Sequence, residues 1–168
     1  MSSCGGVDMK HITNASHNSY KELWQTIFGS TYRDKFTFSH NGYNFSGGGG
    51  HYPTYDLTLA NNVYLLPEYP FQISNVFEQF NVPDDVMLFV CNKSTLARLG
   101  VDASCNTFID NGFKGNLTIE IYLKNKSKAV DLPKGLPIVQ VVAMPVMFSC
   151  EGYKGKYQNQ ENKPVGAK

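Results

Sequence analysis

The chain has no apolar run of the roughly 18 to 20 residues needed to cross a bilayer as a helix. Its polar N-terminus lacks the hydrophobic centre of a signal peptide. It also lacks a charge imbalance, because 15 Lys and Arg stand against 14 Asp and Glu. No global field points to nucleic acid or to an anionic membrane, and any polyanion has to be held by a local cluster. The expectation is a soluble, cytoplasmic protein that binds neither nucleic acid nor membrane. Cysteine is sparse: Cys4, Cys91, Cys105 and Cys150 form no Cys-x-x-Cys pair and read as reduced structural residues. The histidines, His11, His17, His40 and His51, all fall in the first third. No His-x-Glu precedes a Pro-Cys-x-x-Cys, which excludes a zinc deaminase site, and no zinc is expected. A mixed His/Cys site assembled at long range stays open, but no spacing asks for one.

What is present suits one globular domain. At 168 residues, 42% of them hydrophobic and 13% aromatic, the chain can bury a real core and is not a disordered protein. Residues 17–30 carry apolar Tyr20, Leu23, Trp24, Ile27 and Phe28 at helical spacing, with Gly29 as the stop. A Tyr/Phe/Asn/Gly-rich stretch follows, ending in Gly47-Gly48-Gly49-Gly50. With no Lys-Ser/Thr behind it, this run is not a phosphate-binding P-loop and reads as a flexible loop. From Tyr55 the pattern turns to short strands: residues 56–59, 62–66, 86–90, 117–123 and 138–144, with Phe71 to Phe80 as a further pair of edges. Leu117, Ile119, Ile121 and Leu123 alternate with Thr118, Glu120 and Tyr122, so the two sets face opposite ways. The expected fold is mainly β, a barrel or distorted jelly roll. Three regions are expected: a divergent N-terminal segment (1–50), the β domain (51–149) and a polar C-terminal lid or tail (150–168).

Four segments carry polar chemistry, and each has a plainer reading beside the functional one. Ser94 is a good helix cap, Thr95 to Leu99 favour a short helix, and Gly100 suits its end. Free amides, the Ser94 hydroxyl, Lys93 and Arg98 (on the same face at i, i+4) can hold phosphate oxygens. The plainer reading is a capped surface helix with two solvated cations. Asp110, before Asn111-Gly112, reads as a turn residue bonding its own backbone, or as a carboxylate for a sugar hydroxyl or water. Glu120 interrupts an otherwise excellent strand. It lies either on a solvated face or in a pocket, where burial would raise its pKa and suit it to moving protons. The tail around Tyr153, Lys156, Tyr157 and Gln160 is either a frayed terminus or a lid over a charged ligand.

The order of these segments resembles the dCTP deaminase branch of the dUTPase superfamily. Asn92-Lys-Ser-Thr-Leu-Ala-Arg-Leu-Gly100 is similar to the family's Arg-Ser-Ser-Leu-Ala-Arg-Leu-Gly. Ile109-Asp-Asn-Gly-Phe-Lys-Gly115 and Thr118-Ile-Glu120 follow in the family's order. Asp56-Leu-Thr-Leu59, Leu132-Pro-Lys-Gly-Leu-Pro-Ile-Val-Gln140 and Lys156-Tyr-Gln-Asn-Gln160 resemble its flanking motifs. The resemblance implies a homotrimer of dUTPase-like distorted jelly rolls with sites between subunits. It implies hydrolytic deamination of a deoxycytidine nucleotide, dCTP to dUTP and onward to dUMP in bifunctional members. Glu120 would shuttle the proton, with Ser94 and Arg98 placing water and phosphates. Lys93 and Thr95 would add phosphate contacts, and Asp110 would hold the deoxyribose or a base-side water. Asn106, Thr107 and Phe108 would read the base, while Tyr153, Lys156, Tyr157 and Gln160 close over it. Mg2+ would arrive on the nucleotide phosphates, with no metal ligands from the protein. A dUTPase without deaminase activity, or a non-catalytic nucleotide-binding homologue, is the alternative. The chain departs from the pattern at Lys93, which replaces an arginine fork by a point charge and opens a monophosphate or modified nucleotide as substrate. Its base-reading loop is also short.

Overall fold

The computed structural model describes residues 17–103 and 108–167. The expected base readers Asn106 and Thr107 lie outside the described residues. The first helix, α1 (Tyr20–Phe28), forms where the apolar spacing placed it. The Ser19 hydroxyl accepts from Glu22 N, and the Glu22 carboxylate accepts from Asn18 N, so both chain directions at the N-terminus are capped. Gly29, at φ 49°, ends the helix with its amide on the Gln25 carbonyl. Leu23, Trp24, Ile27 and Phe28 are all buried. The Phe28 ring lies 4.3 Å from Tyr55 and 5.1 Å from Phe80, which joins this segment to the core of the β domain.

The stretch expected to be loop is ordered instead. β1 (Phe36–His40) and β2 (Tyr43–Gly47) pair as a hairpin around Asn41-Gly42. Both turn residues have positive φ (49° and 79°), the requirement of the tight turn that Asn-Gly favours. The glycine run is not a flexible loop either: Gly47 to Gly50 are buried. Gly48 exchanges both backbone hydrogen bonds with Asp56, each 2.9 Å long. A Cβ on Gly49 would come within 2.4 Å of the Tyr55 ring, so the run is glycine because backbone must lie against backbone and ring.

The remaining strands are β3 (Thr54–Thr58), β4 (Val63–Leu65), β5 (Phe71–Asn81), β6 (Val86–Asn92), β7 (Val101–Asp102), β8 (Phe108–Ile109), β9 (Lys114–Leu123), β10 (Val130–Leu132) and β11 (Pro137–Pro145). One sheet runs β3-β11-β6-β8, a second β5-β9-β7, and β10-β4 forms a small ribbon. These pairings are all antiparallel. The segment expected to hold two edges is one 11-residue strand, β5, whose register with β9 shifts between Asn75 and Gln79. Leu57, Leu88, Val90, Val139 and Val141 from the first sheet and Val76, Ile119, Ile121 and Leu123 from the second share one buried cluster with α1. Burying such side chains stabilises a fold by about 1.5–3 kcal/mol each, measured against full exposure.

An ion pair between a part-exposed arginine and a buried glutamate ties the N-terminal segment down. Arg33 Nη2 lies 3.1 Å from Glu78 Oε1, and Glu78 is fully buried. The carboxylate also accepts from Thr58 N at 2.9 Å and Thr58 Oγ1 at 3.0 Å. The guanidinium carbon lies over the rings of Phe36 (4.8 Å) and Phe77 (5.2 Å). Loss of water on burial pushes the Glu78 carboxyl above its ordinary pKa, against the pull of Thr58 and Arg33.

Candidate functional site

Two polar centres emerge from this frame. The first is the outer face of β9. Ile119, Ile121 and Leu123 point into the core, while Thr118 and Glu120 are half-buried and Tyr122 is exposed, as the alternation required. On β5 the facing residues are Asn75 opposite Thr118, Ile73 opposite Glu120 and Phe71 opposite Tyr122. Glu120 therefore sits between an aromatic pair on one side and a polar pair on the other.

The tail is laid along this same strand. Asn159 N donates to Lys114 O at 2.8 Å, and Asn116 N donates to Gln160 O at 3.0 Å. Thr118 Oγ1 lies 3.2 Å from Gln160 Oε1 and accepts from Val165 N at 3.0 Å. Asn162 Oδ1 accepts from the buried Asn75 amide at 2.7 Å. Gln158 ties Lys114 N to the carbonyls of Gly112 and Tyr153. Tyr153 packs on Phe113 at 5.8 Å and donates its own amide to Asn111 O at 2.7 Å. Lys156 stands over the Tyr157 ring, 5.1 Å from its centre. The tail thus covers the half of β9 next to Glu120, and Gly112 and Gly115 are where its backbone comes closest. Asp110 opens the intervening turn: Phe113 N bonds to Asp110 O at 3.2 Å, and the Asp110 side chain is exposed.

The second centre surrounds α2 (Ser94–Arg98). Its cap is Lys93 rather than Ser94, and no side chain makes the capping bond, so Ser94 is the first helical residue. Ser94 and Arg98 are exposed and Thr95 is half-exposed. Gly100, at φ 78°, closes the helix through a 3.1 Å bond to Ala97 O. The Lys93 ammonium turns inward and lies 2.6 Å from Asp56 Oδ1. Gln140 Nε2 donates to the same oxygen at 3.1 Å. Asp56 Oδ2 accepts from Ser46 Oγ at 3.3 Å and faces Lys35 Nζ at 3.7 Å. Ser46 of β2, Gln140 of β11, Lys93 at the cap of α2 and Lys35 just ahead of β1 therefore meet on the β3 carboxylate of Asp56, which is 1% exposed.

Asp56 and Gln140 lie inside the family-like strand motifs, which assign neither of them a role. The signal was there: a carboxylate and an amide in otherwise apolar strands, the same argument that singled out Glu120. Lys35 and Ser46 had no such signal, because they reach Asp56 only through the glycine run. Within one chain the two centres are joined by β7, on which α2 packs. β7 pairs with β9 at Val101–Leu123 and Asp102–Tyr122. Phe108 is exposed on β8, with its ring 4.9 Å from Phe89. Among the described residues no three His, Cys, Asp or Glu side chains gather as metal ligands. No helix among them is long and apolar enough to cross a membrane.

Residues 53–146 match the family model described as dCTP deaminase-like. The chain is 36% identical over 111 residues to a dCTP deaminase of Campylobacter curvus, covering 61% of this chain and 56% of that protein. It is 33% identical over 98 residues to a dUMP-forming dCTP deaminase of Persephonella marina, covering 58% and 54%. The chain thus spans about half the length of these curated relatives. A solved dUTPase variant of phage 80alpha superposes with a TM-score of 0.52 at 16% identity, over 77% of this chain and 86% of that one. A dUTPase variant of Staphylococcus aureus phage phi11, described with a structural Mg(II) ion, gives 0.51 at 14% identity, over 78% and 95%. These superpositions establish the dUTPase-like fold that the motif resemblance implied.

Proposed function

The chain belongs to the dCTP deaminase-like family, and on that premise we propose that it hydrolytically deaminates a deoxycytidine nucleotide, converting dCTP to dUTP and, in a second step, dUTP to dUMP and pyrophosphate. The observation that carries this reading is the convergence on one strand. Glu120 stands two residues from Thr118, and Thr118 holds both Gln160 and Val165 of the tail. A tail seated there covers a nucleotide lying on Glu120 and limits water to the reacting molecule.

In the proposed reaction Glu120 takes a proton from the attacking water as its oxygen bonds to C4 of cytosine. Glu120 returns the proton to the exocyclic nitrogen as the C4–N bond breaks and ammonia leaves, and the remaining hydroxyl proton passes to N3 to give the uracil carbonyl. Asp110 holds the sugar or a water beside the base, and Asn106, Thr107 and Phe108 read the base. Ser94, Thr95 and Arg98 bind the phosphates, with Lys93 adding charge from behind. Tyr153, Lys156, Tyr157 and Gln160 close the site. Mg2+ would accompany the nucleotide phosphates and, bound there, neutralise part of their charge. Ser94 and Arg98 face solvent on α2 while Glu120 lies beyond β7, so a second copy of the chain in a homotrimer is proposed to bring the two centres together. The setting is cytoplasmic pyrimidine deoxynucleotide metabolism.

The test is incubation of purified protein with dCTP and with dUTP in the presence of Mg2+, with products resolved by chromatography. Ammonia with dUTP or dUMP from dCTP supports the reading. Turnover of dUTP alone assigns the dUTPase alternative, and binding without turnover assigns a non-catalytic homologue.

A further inference from the structure

We propose that Lys35 is an additional phosphate-binding residue of this site, supplied by a segment that lies outside the matched residues 53–146; the proposal rests on the nucleotide reading above. Asp56 divides its two oxygens between two lysines. Oδ1 takes Lys93 at 2.6 Å and Gln140 at 3.1 Å, and Oδ2 takes Ser46 at 3.3 Å and Lys35 at 3.7 Å. Two ammonium groups against one carboxylate leave one positive charge over, with two further donors already committed to the same oxygens.

The two lysines are not equivalent. Lys93 is 9% exposed and spends its charge on Asp56. Lys35 is 42% exposed, and at 3.7 Å it is too distant for a hydrogen bond to Asp56. Its protons are therefore available to an acceptor arriving from solvent. The Tyr52 ring lies beneath the ammonium, 4.8 Å away, and fixes its position without using those protons. An anion approaching Lys35 meets the one positive charge that this cluster leaves over, and a phosphate, carrying more charge than a carboxylate, is held by it more strongly.

The glycine run builds the arrangement. Gly48 pairs with Asp56 through both backbone bonds, and Gly49 forms a bridge with Asp34. A Cβ on Gly48 would lie 2.5 Å from Asp34 O, and its φ is +71°. Any other residue there pushes the chain at Asp34 away from β3 and takes Lys35 with it. A sequence feature that matched no phosphate-binding loop thus delivers a cation indirectly.

Calorimetric titration of the full chain with tripolyphosphate, Mg-dCTP and deoxycytidine tests this on the wild type, Lys35→Gln and Lys35→Arg. Lys35→Gln is expected to weaken tripolyphosphate and dCTP roughly tenfold, the scale of one charge-assisted contact, and to leave any deoxycytidine affinity unchanged. Lys35→Arg is expected to restore most of the loss, and unchanged thermal midpoints would show that both variants fold. Tripolyphosphate affinity of Lys35→Gln within twofold of wild type overturns the proposal, as does a wild type that binds no tripolyphosphate. Lys35-dependent tripolyphosphate binding without any turnover of dCTP sustains this inference and removes the proposed function instead.

Discussion

Replacing Gly115 by alanine should lift the tail off β9 while leaving the sheet intact. Gly115 has φ +119°, and a Cβ there would lie 2.4 Å from Gln160 N and 2.8 Å from Gln160 O. Either the strand or the tail must yield. β9 is paired to β5 along most of its length and sends Ile119, Ile121 and Leu123 into the core. Beside Gly115, at Lys114 and Asn116, the tail is held by three hydrogen bonds: Asn159 N to Lys114 O, Asn116 N to Gln160 O, and Lys114 N to Gln158 Oε1. At about 0.5–1.5 kcal/mol net each, they hold the tail with roughly 1.5–4.5 kcal/mol. That is less than the cost of dislodging a core strand, so the tail moves. The closed population should then fall by about one to three orders of magnitude, at roughly 1.4 kcal/mol per decade. Hydrogen exchange measures this directly. The amides of Asn116 and Asn159 should lose protection in Gly115→Ala, while those of Ile119 and Ile121 keep theirs. Trypsin should cut after Lys156 sooner, and the KM for nucleotide should rise. A folded Gly115→Ala variant with unchanged protection at Asn116 and Asn159 would refute the argument, because it would mean the tail does not occupy that position.

Three further outcomes follow from named contacts. Glu120→Gln should lower deamination by about 10² to 10⁴ and keep dCTP binding by calorimetry; full activity in that variant would eliminate Glu120 as the proton shuttle. Asp56→Ala leaves Lys93 buried without its counter-charge, a loss of about 3–5 kcal/mol. In a chain of this size that is a fall of roughly 6–20 °C in the thermal midpoint, and a midpoint within 2 °C of wild type would contradict it. Glu78 carries a pH signature of defined sign. Its folded pKa is raised by burial, so the native state binds more protons than the unfolded chain just above the unfolded glutamate value of about 4.3. Its contribution to stability is therefore greatest below that pH and declines as pH rises through the raised native pKa. Denaturant titrations from pH 4 upward should show a steeper decline in wild type than in Glu78→Gln, and parallel curves would refute the shift.

Much of the frame was legible because its causes are local. α1 was readable because apolar residues at Leu23, Trp24, Ile27 and Phe28 form one stripe and Gly29 stops it. β9 was readable because strict alternation leaves one side for the core. The Asn41-Gly42 turn was equally local and announces the β1–β2 hairpin, yet the aromatic, polar and glycine-rich surroundings hid the strands on either side. The tail was legible as a motif but not in its destination, since Gln158 to Gln160 carry no apolar periodicity and are held by backbone and amide bonds.

By itself, then, the sequence determined the mainly β character, the core-facing set of β9, the family, and the candidate residues Glu120, Asp110, Ser94 and Arg98. Periodicity, turn chemistry and motif order all act within a few residues of one another, and so they survive in the linear text. Only the tertiary structure decided that Lys93 points into the protein, that Asp56 gathers Lys93, Gln140, Ser46 and Lys35, and that the four glycines are buried backbone contacts. Those facts depend on which segments meet across the fold. A lysine written beside a serine looks solvated until a carboxylate 37 positions earlier arrives 2.6 Å from it.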